Sequence, residues 1–157
     1  MEEKDLVICP VYNEGVTFSR FFLKLRKYYP GDLLFVNDGS TDITGGILSS
    51  LKNDKVLVIS NEQRKGYGAA LIKGFRFAVE NGYERVVTID ADLRHDPARL
   101  PLFFRELACG EVVLGSRYLL SRDFPQVPKE RLYINGYIAD YGRTNITRKY
   151  FVGNSIC

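Results

Sequence analysis

Two aspartates separated by one small residue, Asp90-Ala91-Asp92, stand where the apolar run Val86–Ile89 gives out. Held close, two like charges repel by roughly 1 kcal/mol in water and about 4 kcal/mol near a protein surface. They either splay into solvent as turn residues or gather around a cation. On an extended backbone, residues two apart face the same way. Hard carboxylate oxygens at that spacing suit Mg²⁺ or Mn²⁺, which commonly takes one or two carboxylates plus substrate phosphates. A second group, Arg64-Lys65-Gly66-Tyr67-Gly68, joins cations to flexible backbone just ahead of a helix-period segment, a cradle for phosphate. It is neither a Walker loop nor a GxGxxG fingerprint, so it favours neither an NTPase nor a dehydrogenase. A third, Asn37-Asp38-Gly39-Ser40, offers a carboxylate for a base or ribose beside a glycine that permits close approach. The same residues suit an Asx-type turn capping the next helix. Glu14 can equally anchor neighbouring loops or bind a ligand, and His95, the only histidine, is given no chemical role.

The elements that must position these groups can be read from hydrophobic periodicity. Five short apolar runs, Leu6–Cys9, Leu33–Val36, Val56–Ile59, Val86–Ile89 and Val112–Gly115, do not alternate with polar residues. They read as strands buried on both faces, as in a parallel sheet. Helix-period segments separate them. Phe18, Phe21, Phe22, Leu25 and Tyr28 share one face of a first helix, and a shorter one covers Ile43–Leu51, capped by Asp42 or Thr41. Leu71, Ile72, Phe75, Ala78 and Val79 share a face of a helix that ends at Asn81-Gly82. Leu100, Phe103, Phe104, Leu107 and Ala108 mark one more, starting after Pro97. Strand–helix repetition of this kind predicts a doubly wound α/β sheet with right-handed crossovers. Ligands bind such sheets outside the carboxyl ends of the strands, and the polar clusters fall just after the apolar runs.

The 157 residues, 45% hydrophobic and 26% charged, suit one soluble globular domain. No apolar run is long enough to predict a membrane-spanning helix, and the start MEEKD does not read as a signal peptide. Three scattered cysteines, Cys9, Cys109 and Cys157, fit neither a disulfide framework nor a metal cluster, which makes a reducing cytoplasm the default. Cys9 and Cys109 read as small core residues. A net charge of +3 is too small to argue for nucleic acid, but it is unevenly spread. Residues 117–150 carry seven basic side chains against three acids, so that segment is +4 and the remainder −1. A basic end on a neutral body suits a phosphate or a membrane surface as readily as plain solvent.

Taken together, PVYNE, VNDGSTD, RKGYGAA, DAD and GSRY resemble, in order and separation, the motifs of family-2 glycosyltransferases of the GT-A fold. The likeness covers residues 5 to about 135. IDADLRHDP followed by VVLGSRY is most similar to polyprenyl-phosphate (dolichyl-phosphate) mannosyl- and glucosyltransferases, which move a sugar from a GDP- or UDP-sugar to a lipid phosphate. The resemblance implies a GT-A-type, Rossmann-like α/β domain over residues 1–135, with a divergent or shortened tail over 136–157. It implies a nucleotide-sugar pocket of Pro10, Tyr12, Glu14, Asp38, Lys65, Asp90 and Ala91, and a divalent cation, Mg²⁺ or Mn²⁺, on Asp90 and Asp92. Asp92 and Arg117 would be the catalytic pair, and Arg117 and Arg131 would meet the acceptor phosphate. The implied reaction is inverting hexose transfer to a polyprenyl phosphate at the cytosolic membrane face. A saccharide acceptor, or a non-catalytic nucleotide-sugar-binding module, are the alternatives. Two positions depart from the pattern. The lipid-phosphate enzymes often carry Gln two places after the DxD to help bind metal; Arg94 stands here, and a guanidinium cannot ligate a cation. The acidic, Gly-Phe-Arg-containing segment that usually follows is not reproduced in residues 136–157.

Overall fold

A computed structural model describes residues 4–107, 113–114 and 151–152. The chain divides into two compact units, Met1–Phe104 and Arg105–Cys157. The domain boundary expected at residue 135 lies outside the described residues. In the first unit the strands β1 (Asp5–Val11), β2 (Asp32–Asn37), β3 (Val56–Ser60) and β4 (Arg85–Thr88) form one sheet, in the order β3-β2-β1-β4. Every pairing is parallel: Ile8 lies opposite both Leu34 and Thr88, and Phe35 lies opposite Val58. The four apolar runs thus became strands where the sequence placed them, within a residue or two at their ends.

Both faces of this sheet are covered, which is why its two central strands are apolar without alternation. Helix α1 (Thr17–Tyr28) packs on one face through Phe18, Phe21 and Leu25, all fully buried, with Phe18 set edge-on to Phe35 at 5.1 Å between ring centroids. Tyr29, just past that helix, stacks on Phe104 at 5.2 Å. On the other face, α3 (Tyr67–Glu80) covers Leu6, Ile8, Leu34 and Val36. Helix α2 (Thr44–Leu51) follows β2, and α4 (Leu100–Leu107) follows a single 3₁₀ turn at Pro97–Arg99. Asp96 accepts the Ala98 N–H to start that turn. The Asp42 carboxylate accepts the Thr44 N–H at 2.9 Å, so Asp42, and not Thr41, closes the start of α2. Cys9 is buried in β1, as a core residue should be.

Two expectations need correction. Only part of the expected face of α3 turns to the sheet: Ala78 is buried and Leu71 packs on the core, but Ile72, Phe75 and Val79 are exposed, and the other buried positions are Ala70 and Gly74. A Cβ at Gly74 would lie 2.7 Å from Ile8 Cγ2, nearer than real Cβ atoms come, so the helix approaches the strands because that residue has no side chain. The fifth apolar run forms β5 (Val113–Leu114), which pairs in parallel with β6 (Phe151–Val152) in a separate two-stranded sheet, where the sequence had suggested one more strand of the main sheet. Among the described residues, no helix is long and apolar enough to cross a membrane.

Candidate functional site

The chain leaves β1 toward β2 and β3 on one side, then returns to add β4 on the other. The order of winding therefore reverses between β1 and β4, and the loops after those strands separate into a crevice, the place where open α/β sheets take ligands. Tyr12, Asn13 and Glu14 follow β1, and Asp90 and Asp92 follow β4. The extended backbone assumed through Asp90 and Asp92 is not observed. After Ile89, whose N–H still reaches Ile8 O at 3.0 Å, Ala91 and Asp92 enter a turn. Leu93 then takes a φ of 60°, a left-handed conformation that strains a leucine by the order of 1 kcal/mol.

Asp38, after β2, is 4% exposed and fully engaged. Its Oδ1 accepts Asn61 Nδ2 at 2.8 Å and the Lys65 N–H at 2.9 Å, and its Oδ2 accepts the Gly66 N–H at 2.7 Å. Burial alone would raise its pKa. The hydrogen bonds from Lys65, Asn61 and Gly66, with the Arg64 charge, overcome that and hold it below the usual carboxylate range. Asp38 thus clamps the Arg64–Gly68 loop from beneath. The Asx-type turn belongs to its neighbour, Asn37, whose Oδ1 accepts the Ser40 N–H at 3.0 Å. Gly39, at a φ of 71°, lies so close to the loop that a Cβ there would sit 2.6 Å from Arg64 N. Only glycine serves at that position.

The β1 side is laced to the β2 side by Asn13. Its Oδ1 accepts the Thr41 N–H at 2.8 Å and its own N–H reaches Ser40 Oγ at 3.1 Å. Gly15 N–H donates to Thr44 Oγ1 at 2.9 Å. These contacts bring Glu14, half-buried, near three other carboxylates. Its pKa is raised, first by burial and then by Asp92, Asp42 and Asp90. Asp90 Oδ1 accepts the Tyr67 hydroxyl at 2.9 Å, and the Asp90 N–H donates to His95 Nδ1 at 3.2 Å. Asp92 Oδ1 accepts the Arg94 N–H at 2.9 Å, and Arg94 Nε lies 3.4 Å from its Oδ2. Both side chains of that pair are substantially exposed, so the contact is weak and readily exchanged.

Of the residues singled out from the sequence, Tyr12, Glu14, Asp38, Lys65, Asp90 and Asp92 all sit on this one edge. The Arg64 guanidinium lies over the Tyr12 ring, 4.4 Å from its centroid. The Lys65 side chain is exposed while its backbone is held, Pro10 is half-buried next to the end of β1, and Ala91 is buried. Arg117 and Arg131 lie outside the described residues. Sequence reasoning gave no separate role to Asn13, Asn61 and Tyr67, whose side chains hydrogen-bond other residues of this edge. The one sequence signal for Asn13 is its type, since asparagine tolerates the φ of 52° found there.

Among the described residues, no group of three or more His, Cys, Asp or Glu is arranged to hold a metal ion. The donor chemistry at Asp90 and Asp92 nonetheless fits a hard divalent cation that draws part of its shell from a bound phosphate.

Comparison with known proteins agrees with this geometry. Glycosyl transferase family 2 matches residues 6–156, and the chain belongs to that family. The chain is 33% identical over 133 residues to undecaprenyl-phosphate mannosyltransferase of Micrococcus luteus, covering 83% of this chain and 55% of that protein. Against polyprenol monophosphomannose synthase of Mycolicibacterium smegmatis it is 31% identical over 146 residues, 90% of this chain and 55% of the relative. It is also 31% identical over 138 residues to UDP-N-acetylglucosamine–dolichyl-phosphate N-acetylglucosaminyltransferase of Methanococcus voltae, 78% of this chain and 55% of that protein. The chain thus spans about half the length of these curated relatives. A solved structure of a candidate nucleotide-diphospho-sugar transferase from Desulfovibrio desulfuricans G20 superposes with a TM-score of 0.55. At 14% identity, over 74% of this chain and 59% of that one, it shows the fold, which is GT-A.

Proposed function

We propose that the chain is the donor-binding part of an enzyme that transfers a hexose, with inversion, from a GDP- or UDP-linked sugar to a polyprenyl phosphate. One observation carries the donor half of this reading. Tyr12, Glu14, the loop held by Asp38, Asp90 and Asp92 converge on one edge of the sheet, at its switch point. The acceptor half rests on the family and on the three relatives, each of which is named for a polyprenyl- or dolichyl-type acceptor or product.

In this reading Tyr12 and Arg64 border the nucleotide, and Lys65 with the backbone at the start of α3 faces the diphosphate. Asp90 and Asp92 hold Mg²⁺ or Mn²⁺. When bound, such a cation offsets the charge that builds on a leaving diphosphate. A phosphate acceptor is already ionised near neutral pH, so the protein's work is to position the two substrates and exclude competing water. Arg117 and Arg131 would meet the acceptor phosphate, and the chain would approach its lipid from the cytosolic side as a peripheral protein.

A thermal-shift panel of UDP-, GDP- and dTDP-sugars, with and without Mn²⁺, tests the donor half, because a ligand that binds only the native state stabilises it in proportion to RT ln(1 + [L]/Kd). One donor should stand out, and only with metal. A flat panel would sink the reading. Transfer of the labelled sugar to a polyprenyl phosphate, set against a soluble saccharide acceptor, then tests the acceptor half.

A further inference from the structure

Tyr67 is the first residue of α3, and its hydroxyl donates to Asp90 Oδ1 at 2.9 Å, joining two loops 23 residues apart in sequence. No ligand-binding role described above uses it. We propose that Tyr67 is a positioning residue: it ties Oδ1 of Asp90 to the anchored start of α3 and leaves Oδ2 to take a divalent cation. The inference rests on the metal reading given under Proposed function and extends it to a residue beyond the carboxylates themselves.

Three features give the contact this meaning. First, the hydroxyl comes from a fixed backbone. The neighbouring Gly66 N–H is bound to Asp38 Oδ2, the Lys65 N–H to Asp38 Oδ1, and Gly66 O accepts the Ala70 N–H at 3.1 Å. One turn further on, Ala70 and Gly74 are packed onto the sheet. A chain of contacts therefore runs from the end of β2, through Asp38, Gly66 and Tyr67, to Asp90, two residues past β4. Second, the other neighbour of Asp90 does not compete for the remaining oxygen. His95 Nδ1 lies 3.5 Å from Oδ2 and is engaged instead as the acceptor of the Asp90 N–H at 3.2 Å. Third, the contact is a direct 2.9 Å hydrogen bond in which the phenol donates to one carboxylate oxygen, so the tie holds Oδ1 without occupying Oδ2.

Partners that orient a metal ligand without touching the metal typically matter 10- to 100-fold in metal affinity. Tyr67→Phe removes the hydroxyl and keeps the ring, which is half in solvent, so the fold is retained. The probe is Mn²⁺ alone, titrated into the protein and followed by the electron paramagnetic resonance of the free ion. The expected result is a Kd for Mn²⁺ weaker by about 10-fold or more, with an unchanged melting temperature in metal-free buffer. In turnover the defect should appear as a higher Mn²⁺ concentration for half-maximal rate, recovered when Mn²⁺ saturates. Wild-type Mn²⁺ affinity in the variant overturns the proposal, as does a fall in metal-free stability that accounts for the loss. If wild type binds Mn²⁺ neither alone nor with a nucleoside diphosphate present, the metal reading falls and takes this inference with it; the two failures are therefore distinguishable.

Discussion

Asp38 after β2 and Glu14 after β1 stand on the same edge of the same sheet, and the surroundings treat their charges in opposite ways. Asp38 is more deeply buried, yet three N–H donors and a nearby guanidinium keep it ionised. Glu14 is half-buried and faces other carboxylates, and its pKa is raised by burial and by Asp92, Asp42 and Asp90. The difference separates architecture from function. Asp38 accepts two backbone N–H groups and the Asn61 side chain, so it shapes the pocket by holding the Arg64–Gly68 loop. A cluster of carboxylates that repel one another stores unfavourable energy, which a cation or a ligand's donors release on binding.

The largest effect expected from this contrast is at Asp92. Asp92→Ala should abolish the Mn²⁺-dependent part of the donor-induced thermal shift and slow transfer by about 10²-fold or more. Asp38→Ala should instead lower stability, and weaken metal binding no more than Tyr67→Phe does, since it reaches Asp90 only through the start of α3. A Mn²⁺ response that survives Asp92→Ala would remove that residue from the metal site.

Next in size is Asp38→Asn. The amide cannot accept from both sides of the loop, so a buried N–H loses its partner, at about 1–3 kcal/mol. Chemical denaturation reads this directly. The same residue gives a pH signature: its folded pKa is depressed, so its contribution to stability is full above the unfolded value of about 3.9 and is lost as pH falls through the lower folded value. The variant should lack that part of the acid limb.

Glu14→Gln is the smallest effect and has the opposite sign. A raised carboxyl pKa means that the ionised form disfavours the fold. Neutralising it should therefore stabilise the metal-free protein at pH 7, by no more than about 0.5 kcal/mol at a site this open to screening. If Glu14→Gln and Asp38→Asn both destabilise equally, the proposed division between clamp and cluster is wrong.

How much of this was legible in the sequence depends on whether a residue acts through volume or through its absence. β1 and β2 could be read because central strands buried on both faces must be apolar throughout, the half-buried edge strands β3 and β4 because their short runs are still mainly apolar, and the polar groups that follow all four had only one edge on which to gather. The Phe18, Phe21 and Leu25 face of α1 was legible for the same reason. The buried face of α3 was legible only in part. Counting bulky apolar residues points to Ile72, Phe75 and Val79, whereas the sheet selects Ala70, Gly74 and Ala78, because close packing on β1 and β2 requires small side chains. The site divides likewise. Asp90 and Asp92 announce themselves by charge and spacing, while Tyr67, Asn13 and Asn61 matter only for what they touch.

The sequence by itself determined the layered α/β plan, the ligand edge, the family, and the identity of the acidic and basic groups that meet there. These follow from local composition and the order of the strands. Only the tertiary structure decided which carboxylate is spent on the fold and which are crowded together, since that depends on donors brought from Asn61, Lys65 and Gly66, more than 20 residues away. It also decided that Arg94 lies against Asp92, and that a tyrosine at the start of α3 reaches Asp90. Charge can be read along a chain, but the balance between burial and hydrogen bonding that sets its use exists only once the loops are folded together.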